Sequence, residues 1–298
     1  MNATPIKDSQ GDRLFNIVNN TLLSLLLIIV LYPLLYVVSA SLSSTDAVMS
    51  GRVWLFPVEL SLEGYAAVFK NKSVLTGFIN TITYTVLGTA INIVLSILAA
   101  YPLSRKDFKG RHVFMLMFVF TMMFSGGLIP SYLIVKDLGM INTLWSMVIP
   151  VALSVWNVII MRTYFSVTIP GELLEASQMD GCTDFTFLWR IVLPLSGPII
   201  AVIGLYYAVG HWNQYFNALL YLKSADKYPL QLVLRDILIQ NEVNVEMLSD
   251  TKTAAARQGL RELLKYSLIV ISSLPLLIVY PFIQKYFVKG VMIGSIKG

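Results

Sequence analysis

Cysteine and histidine are almost absent from this chain of 298 residues. Cys182 stands alone, so no intrachain disulfide can form, and a single thiol provides no metal site. The two histidines, His112 and His211, lie on different segments, and neither has an acidic residue at metal-ligand spacing. Metal chemistry and histidine-based acid–base catalysis are therefore not expected of this chain.

Charged residues are also scarce, at 13% of the chain against 56% hydrophobic residues. A soluble domain of this length could not bury so much apolar surface, so the composition predicts an integral membrane protein in contact with lipid. The net charge of +5 would suggest nucleic-acid binding in a soluble protein. Here the basic residues stand beside hydrophobic runs, where they are typical membrane-flanking charges, and no nucleic acid is expected as a partner.

Motifs that would let the chain drive transport by itself are missing. No Gly-x-x-x-x-Gly-Lys-Ser/Thr string occurs, so any ATP must be handled by another subunit. Every Asp and Glu lies outside the predicted spans, whereas ion-coupled carriers typically place ionisable groups within the membrane. These absences favour a permease driven by a separate ATPase. An ion-coupled secondary transporter is the alternative, and a membrane-embedded enzyme or a non-transporting scaffold is less well supported.

Six long hydrophobic runs predict an all-α fold with six transmembrane helices. The first run is longer than the apolar core of a signal peptide, although Val38-Ser39-Ala40 resembles a cleavage site, so retention as a span is favoured over cleavage. The predicted segments are an N-terminal tail at 1–13 and spans at 14–38, 74–103, 112–135, 143–161, 197–222 and 266–287.

Basic residues predict the orientation of these spans. Four cations stand within seven residues of the short loop from Arg105 to Arg111, and such clusters mark the cytoplasmic side. Counting spans from there makes the protein multi-pass in the cytoplasmic membrane, with both termini in the cytoplasm. The polar loop 168–198 then lies inside, and the charged loop 223–264 lies outside.

The third run is interrupted by Gly126-Gly127 and Pro130. These residues can kink a helix or let it end in non-helical backbone. Close helix packing at the two glycines explains them equally well from the sequence.

The polar loop 168–198 has the signals of two short helices. Pro170 suits a first helical position, Glu172 complements the positive helix end, and Gly181 can provide a left-handed stop, which predicts a helix over Pro170 to Asp180. Thr183 can cap a second helical piece that Pro194 would end. Neither is long enough to be stable alone, so the loop needs a partner groove. The predicted contact side consists of Leu173, Ala176, Ser177 and Asp180, and a merely amphipathic interfacial loop is the alternative.

The fifth run is unusually rich in aromatic and hydrogen-bonding side chains. Such groups suit sugars, whose hydroxyls need donors and acceptors while their C–H faces rest on aromatic rings. An interfacial aromatic belt would show a similar composition. The candidate substrate-path residues are Tyr206, Tyr207, His211, Trp212, Asn213, Tyr215 and Asn217.

One set of motifs is specific to a family. The strings Glu175-Ala176-Ser177, Asp180-Gly181 and Ile191-Val192-Leu193-Pro194 resemble the loop shared by inner permease subunits of ATP-driven importers, with Ser177 and Cys182 in place of the usual alanines. The flanks look like the oligosaccharide branch of that family, of the maltose-permease and lipoprotein-associated-sugar-permease type. The flanking matches are the string from Ser125 to Pro130, Trp212-Asn213 and the string from Val291 to Gly294.

This resemblance implies a type I ABC importer permease fold, with its transmembrane domain over 74–287. It implies a second permease subunit, two cytoplasmic ATPase subunits that bind ATP and Mg, an extracellular solute-binding protein and a carbohydrate substrate, with no cofactor or catalysis in this chain. In the similar maltose system the second permease holds most substrate contacts, and the loop matching 223–264 enters the binding protein's cleft. The implied ATPase-coupling residues are Pro170, Glu172, Leu173, Glu175, Ala176, Ser177, Asp180, Gly181 and Pro194.

Overall fold

The computed structural model of the chain describes residues 9–243 and 251–295, with side chains at 9–239, 259–282 and 284. Helices form nearly all of it, and the described residues contain no strand. In chain order the helices are α1 Gln10–Ser41, α2 Thr45–Met49, α3 Glu63–Lys70, α4 Lys72–Ser104, α5 Arg111–Met123, α6 Leu128–Asp137, α7 Trp145–Val148, α8 Val155–Thr168, α9 Gly171–Met179, α10 Asp184–Phe187, α11 Leu193–Leu195, α12 Gly197–Trp212, α13 Phe216–Tyr221, α14 Leu230–Val243 and α15 Thr251–Ser295.

Within the described residues, up to six segments have the length and apolar composition to cross a membrane, if each bent pair of helices is taken as one span. Three are single helices, namely α1, α4 and the part of α15 from Gly259 to Phe282. Three more are pairs of helices bent at a short break, by 111° between α5 and α6, by 54° between the α7 segment and α8, and by 82° at the start of α12. The count agrees with the six predicted spans, and half of them are broken.

The first span begins earlier than the sequence predicted. The Ser9 hydroxyl accepts a hydrogen bond from the Asp12 N–H at 3.2 Å, and the Asp12 carboxylate accepts one from the Ser9 N–H at 3.0 Å. This capping box starts α1 at Gln10, inside the predicted tail, of which residues 1–8 lie outside the described part.

The third span, predicted at 112–135, is broken at its glycine pair. Helix α5 ends at Met123, α6 begins at Leu128, and Gly127 lies between them with φ +86°. A Cβ added at Gly127 would meet no described atom within 4 Å beyond its neighbours in the chain. Backbone conformation, and not close packing, is therefore the reason for glycine at this position.

The segment between the last two spans is more helical than predicted. The predicted span 197–222 stops being one helix at Trp212 and resumes as α13, and the predicted loop 223–264 contains α14 and the first turns of α15. Leu230 starts α14, is fully buried, and donates its N–H to the Thr81 hydroxyl at 2.8 Å. The mixed charges of 223–264 indicated a loop, but its buried apolar residues form a helix. Residues 244–250 lie outside the described part.

The chain divides into two compact units, Met1–Lys70 with Ile237–Ile271 and Asn71–Asp236 with Ser272–Gly298. The first unit has a small core of Ala40, Ala47 and Val53. The second has a larger core where side chains of α4, α8, α10 and α12 meet, among them Met161, Phe165, Phe187 and Ile203. Both candidate functional regions belong to the second unit.

The break in the fourth span is held by side chains from two other helices. Between α7 and α8 the chain passes through a 3-10 turn over Ile149–Val151, which frees backbone groups from the helical ladder. Asn92 of α4 donates its amide to the Val151 carbonyl at 2.9 Å, and the Ser154 N–H donates to the Tyr207 hydroxyl of α12 at 3.0 Å. Without such partners a helix break would be very costly in hydrocarbon.

Replacing Tyr207 by Phe tests this role. The variant removes the acceptor of the Ser154 N–H and the partner of the Ser96 hydroxyl, which lies 2.7 Å away. Leaving a buried donor unpaired costs about 1–3 kcal/mol, so the apparent unfolding temperature in detergent should fall. Tyr215→Phe is the control, because the Tyr215 side chain is 45% exposed. Equal stability of the two variants would show that Tyr207 does not support the break.

Candidate functional site

The predicted docking helix is present as α9, with its start shifted by one residue. Pro170 has φ −62° and ψ 145°, which is extended backbone, so it is the N-cap and Gly171 is the first helical residue. The helix ends at Met179 with Asp180 as its C-cap. The sequence signals therefore located this helix to within one residue at each end.

Gly181 ends α9 in the left-handed conformation that the sequence predicted. Its φ is +75°, its N–H donates to the Gln178 carbonyl at 3.0 Å, and the Cys182 N–H donates to the Ser177 carbonyl at 2.9 Å. These two hydrogen bonds are those of a Schellman motif. The residue that caps the next helix follows directly after this turn.

The faces of α9 differ in part from the predicted contact side. Leu173, Ala176 and Asp180 are exposed, as a docking surface requires. Ser177 is buried with 8% exposure, and its hydroxyl donates to the Leu174 carbonyl at 2.8 Å, so the placement of Ser177 on the contact side was wrong. Leu174 and Ser177 form the inner side of α9, and Leu174 packs against the core of this unit. The short helix is stabilised by this packing.

Two acidic residues and one methionine of α9 are exposed as well. Glu172 and Glu175 are exposed, and the Met179 side chain is 90% exposed. Sequence reasoning did not select Met179, although a methionine at the end of a short polar helix is a signal of a surface that contacts a partner.

The second helical piece continues further than predicted. Thr183 caps α10, since its hydroxyl accepts the Thr186 N–H at 3.3 Å. The helical path then passes through a π-helical turn over Leu188–Val192 and ends after Leu195. Pro194 lies inside this run, which ends one residue later, after Leu195.

A cation that the sequence marked only for topology belongs to the docking region. Arg105, just past α4, forms ion pairs with Asp107 and Asp184 at 2.6 and 2.9 Å. The guanidinium lowers the pKa of Asp107 below its ordinary value, and its hydrogen bonds to carboxylates raise the pKa of Arg105 itself. Together with the inner side of α9 it borders a cavity of about 620 Å³. No spacing rule connects Arg105 with Asp184, which is 79 residues away.

A second cavity, of about 530 Å³, lies beside α12. Six of the seven predicted path residues line it, and the neighbouring spans add asparagines and a serine. Among the residues whose side chains the structure describes, no Asp, Glu, Lys or Arg lines it. The polar and aromatic lining residues are Asn92, Ser154, Asn157, Tyr206, Tyr207, His211, Asn213, Gln214, Tyr215, Phe216 and Asn217.

Trp212 is the predicted path residue that does not reach this cavity. Its side chain is 5% exposed, the indole N–H donates to the Ser272 carbonyl at 2.9 Å, and the ring lies edge-on to Phe78. Trp212 faces away from the cavity because it is adjacent in sequence to His211, which points towards it. Trp212 packs α12 against α4 and α15, and its predicted role in the path has no support from this cavity.

His211 is held in a polar network at the edge of the cavity. It is 4% exposed, with Nε2 3.5 Å from the Asn92 Oδ1 and Nδ1 3.3 Å from the Gln214 Oε1. A Cβ added at Gly88 of α4 would overlap the imidazole ring, so glycine is required for the close approach. Sequence reasoning missed Asn92, although an asparagine in the middle of the apolar run of α4 was a detectable signal.

Comparisons with known proteins agree on one kind of molecule. A family model described as "Binding-protein-dependent transport system inner membrane component" matches residues 65–293. The chain is 39% identical to Protein LplC of Bacillus subtilis (strain 168), covering 98% of this chain and 97% of that protein. It is 40% identical to the polygalacturonan/rhamnogalacturonan transport system permease protein YtcP of the same organism, covering 96% and 99%.

A solved structure is similar over nearly the whole length. The crystal structure of a bacterial ABC transporter involved in the import of the acidic polysaccharide alginate contains a chain that matches with a TM-score of 0.85 and 37% identity. The match covers 95% of this chain and 100% of that one.

Proposed function

Because the chain belongs to the family of binding-protein-dependent transport system inner membrane components, we propose that α9 is the site where an ATPase acts on it and that the cavity beside α12 is part of the sugar path. The chain is a transmembrane permease subunit of an ATP-driven, binding-protein-dependent carbohydrate importer in the cell membrane. The comparisons do not support the alternative of an ion-coupled secondary transporter.

Membership in this family implies a partner permease, an ATPase and a solute-binding protein. The proposed assembly has one further permease subunit and two ATPase subunits, which bind ATP and Mg, while this chain is not catalytic. Mass spectrometry of the complex would identify the subunits and the sugar that the binding protein retains.

The exposed side of α9 carries the proposed ATPase contact. It presents Leu173, Ala176 and Met179 as apolar or small contacts, with Glu172 and Glu175 beside them. A groove with apolar walls and a cation at its rim would complement this side. The helix is fixed from behind by Leu174 and closed by the left-handed Gly181, so it is ordered before a partner binds.

Gly181→Val and Glu175→Lys test the docking role. Valine in the left-handed conformation costs about 1 kcal/mol or more, and lysine would repel a cation in the groove. Both variants should retain less ATPase on purification and show weaker stimulation of ATP hydrolysis by the binding protein. Gly139→Val is the matched control, because Gly139 closes α6 with φ +67° in the same Schellman arrangement away from α9. Wild-type behaviour of both α9 variants would remove the docking role.

The orientation is proposed from the basic cluster between Arg105 and Arg111, which places α9 and both termini in the cytoplasm. In a Cys182→Ser background, an impermeant thiol reagent applied to intact cells should label a Ser249→Cys variant. A Gln178→Cys variant should react only after permeabilisation. The reverse pattern would invert the topology.

The cavity beside α12 suits a sugar because it combines uncharged hydrogen-bonding groups with aromatic rings. Tyr207 and His211 are buried and take part in internal hydrogen bonds, which is unlike the interfacial belt that the sequence left as an alternative. Tyr206, His211 and Asn213 are the proposed contacts in this subunit. By the resemblance to the maltose system they are secondary to those of the second permease, and the segment 223–264 assists release from the binding protein.

Two glycine substitutions test the sugar path. Gly88→Ala should displace the His211 ring from the cavity edge, because the added methyl group would overlap it. Gly210→Ala adds a methyl group to the same cavity lining where no described atom lies within 4 Å. Uptake of the retained sugar into proteoliposomes, per ATP hydrolysed, should fall in the first variant and stay near wild type in the second. Unchanged uptake in both would place the path in the partner subunit.

A further inference from the structure

The end of α4 is held by a guanidinium group that reaches into the segment after α9. The Arg105 side chain is 11% exposed. Its Nε and Nη2 donate to the two carboxylate oxygens of Asp107 at 2.8 and 2.6 Å. Its Nη1 donates to Asp184 Oδ1 and to the Tyr101 hydroxyl, each at 2.9 Å. Asp184 is the first residue of α10, so one side chain joins the second span to the docking loop.

The same end of α4 is joined to the segment before α9. The Arg162 Nε of α8 donates to the Leu103 carbonyl at 3.2 Å, and the Ser166 hydroxyl of α8 donates to the Ser104 carbonyl at 3.4 Å. These carbonyls are in the last turn of α4, where no intrahelical N–H is available to them. The end of α4 is thus bonded both to α8, which precedes α9 in the chain, and to α10, which follows it.

From this point α4 runs without a break to the His211 network. Asn92 and Gly88, which contact His211, lie on α4 roughly 20 and 25 Å along the helix from Arg105 at about 1.5 Å per residue. A continuous helix transmits a displacement along its length better than a broken one, and the third, fourth and fifth spans are broken.

We propose that Arg105 is a positioning residue for energy coupling, which makes the docking loop and α4 move together so that a displacement of α9 reaches the cavity. This inference rests on the proposed docking of α9 on an ATPase. Arginine suits the task because its planar fork bonds two carboxylates and a hydroxyl at once, which the ammonium group of lysine cannot do with the same geometry. The neighbouring Lys106 and Lys109 are exposed and serve as ordinary flanking charges.

A matched pair of neutralising substitutions separates this role from a general effect of charge. Asp184→Asn weakens the bond between Arg105 and the docking loop. Asp107→Asn likewise removes one carboxylate charge that pairs with Arg105. Asp107, however, belongs to the loop directly after α4 and not to the docking loop. The two carboxylate side chains are similarly exposed, at 69% and 61%. Asp184→Glu restores the charge and serves as the conservative rescue.

The readout is ATP hydrolysis by the reconstituted complex of this chain with its partner subunits. The probe is the solute-binding protein, carrying the sugar with which it purifies. In Asp184→Asn the ratio of stimulated to basal hydrolysis should fall by about two- to fivefold, the range expected from an exposed ion pair. ATPase retention and basal hydrolysis should not change. Asp107→Asn should keep the wild-type ratio, and Asp184→Glu should recover most of it.

Three results would overturn the proposal. The ratio in Asp184→Asn could equal that of the wild type, it could fall equally in Asp107→Asn, or only ATPase retention could fall, which would mean a purely structural bond. If the wild-type complex itself showed no stimulation, the docking function would fail together with this inference. That outcome can be told apart from the other three because the loss of stimulation is then seen in the wild-type complex, without any substitution.

Discussion

A helix that breaks inside hydrocarbon leaves backbone groups without water to bond them, and this constraint organises the second unit of the protein. At the break before α8 the freed carbonyl of Val151 and the freed N–H of Ser154 are bonded by Asn92 and Tyr207, from α4 and α12. The polar groups that satisfy the break also line the cavity. The same side chains therefore support the fold and make the proposed path polar.

The docking helix α9 depends on a different balance. Nine residues are too few for a stable isolated helix, and the local signals at Pro170 and Gly181 only define its ends. Its stability comes from Leu174 and Ser177, which face the protein's own core. The remaining sides are exposed, as the proposed contact with an ATPase requires.

The continuous helix α4 connects these two regions. Its end is bonded to α8 and α10, on both sides of the docking helix, and Asn92 and Gly88 of the same helix contact His211. In a permease driven by an external ATPase, such a mechanical connection would carry a displacement of the docking loop to the spans. The placement of Arg105 is consistent with a role in that connection.

The sequence by itself determined the elements whose causes are local. Hydrophobic length predicted six spans, and Gly181 and Thr183 predicted the turn and cap after α9. Helix α14 was missed because mixed charge indicated a loop, while its stability depends on burial of Leu230 against α4.

Only the tertiary structure decided which polar side chains meet. It directed Trp212 to Ser272 and away from the cavity, paired Asn92 with His211, and paired Arg105 with Asp184. Each of these contacts joins residues on different helices, whose facing depends on how the helices pack. The spacing of residues along the chain does not show how each helix is rotated about its axis towards its neighbours. This is the physical reason that the sequence indicated the candidate residues but not their partners.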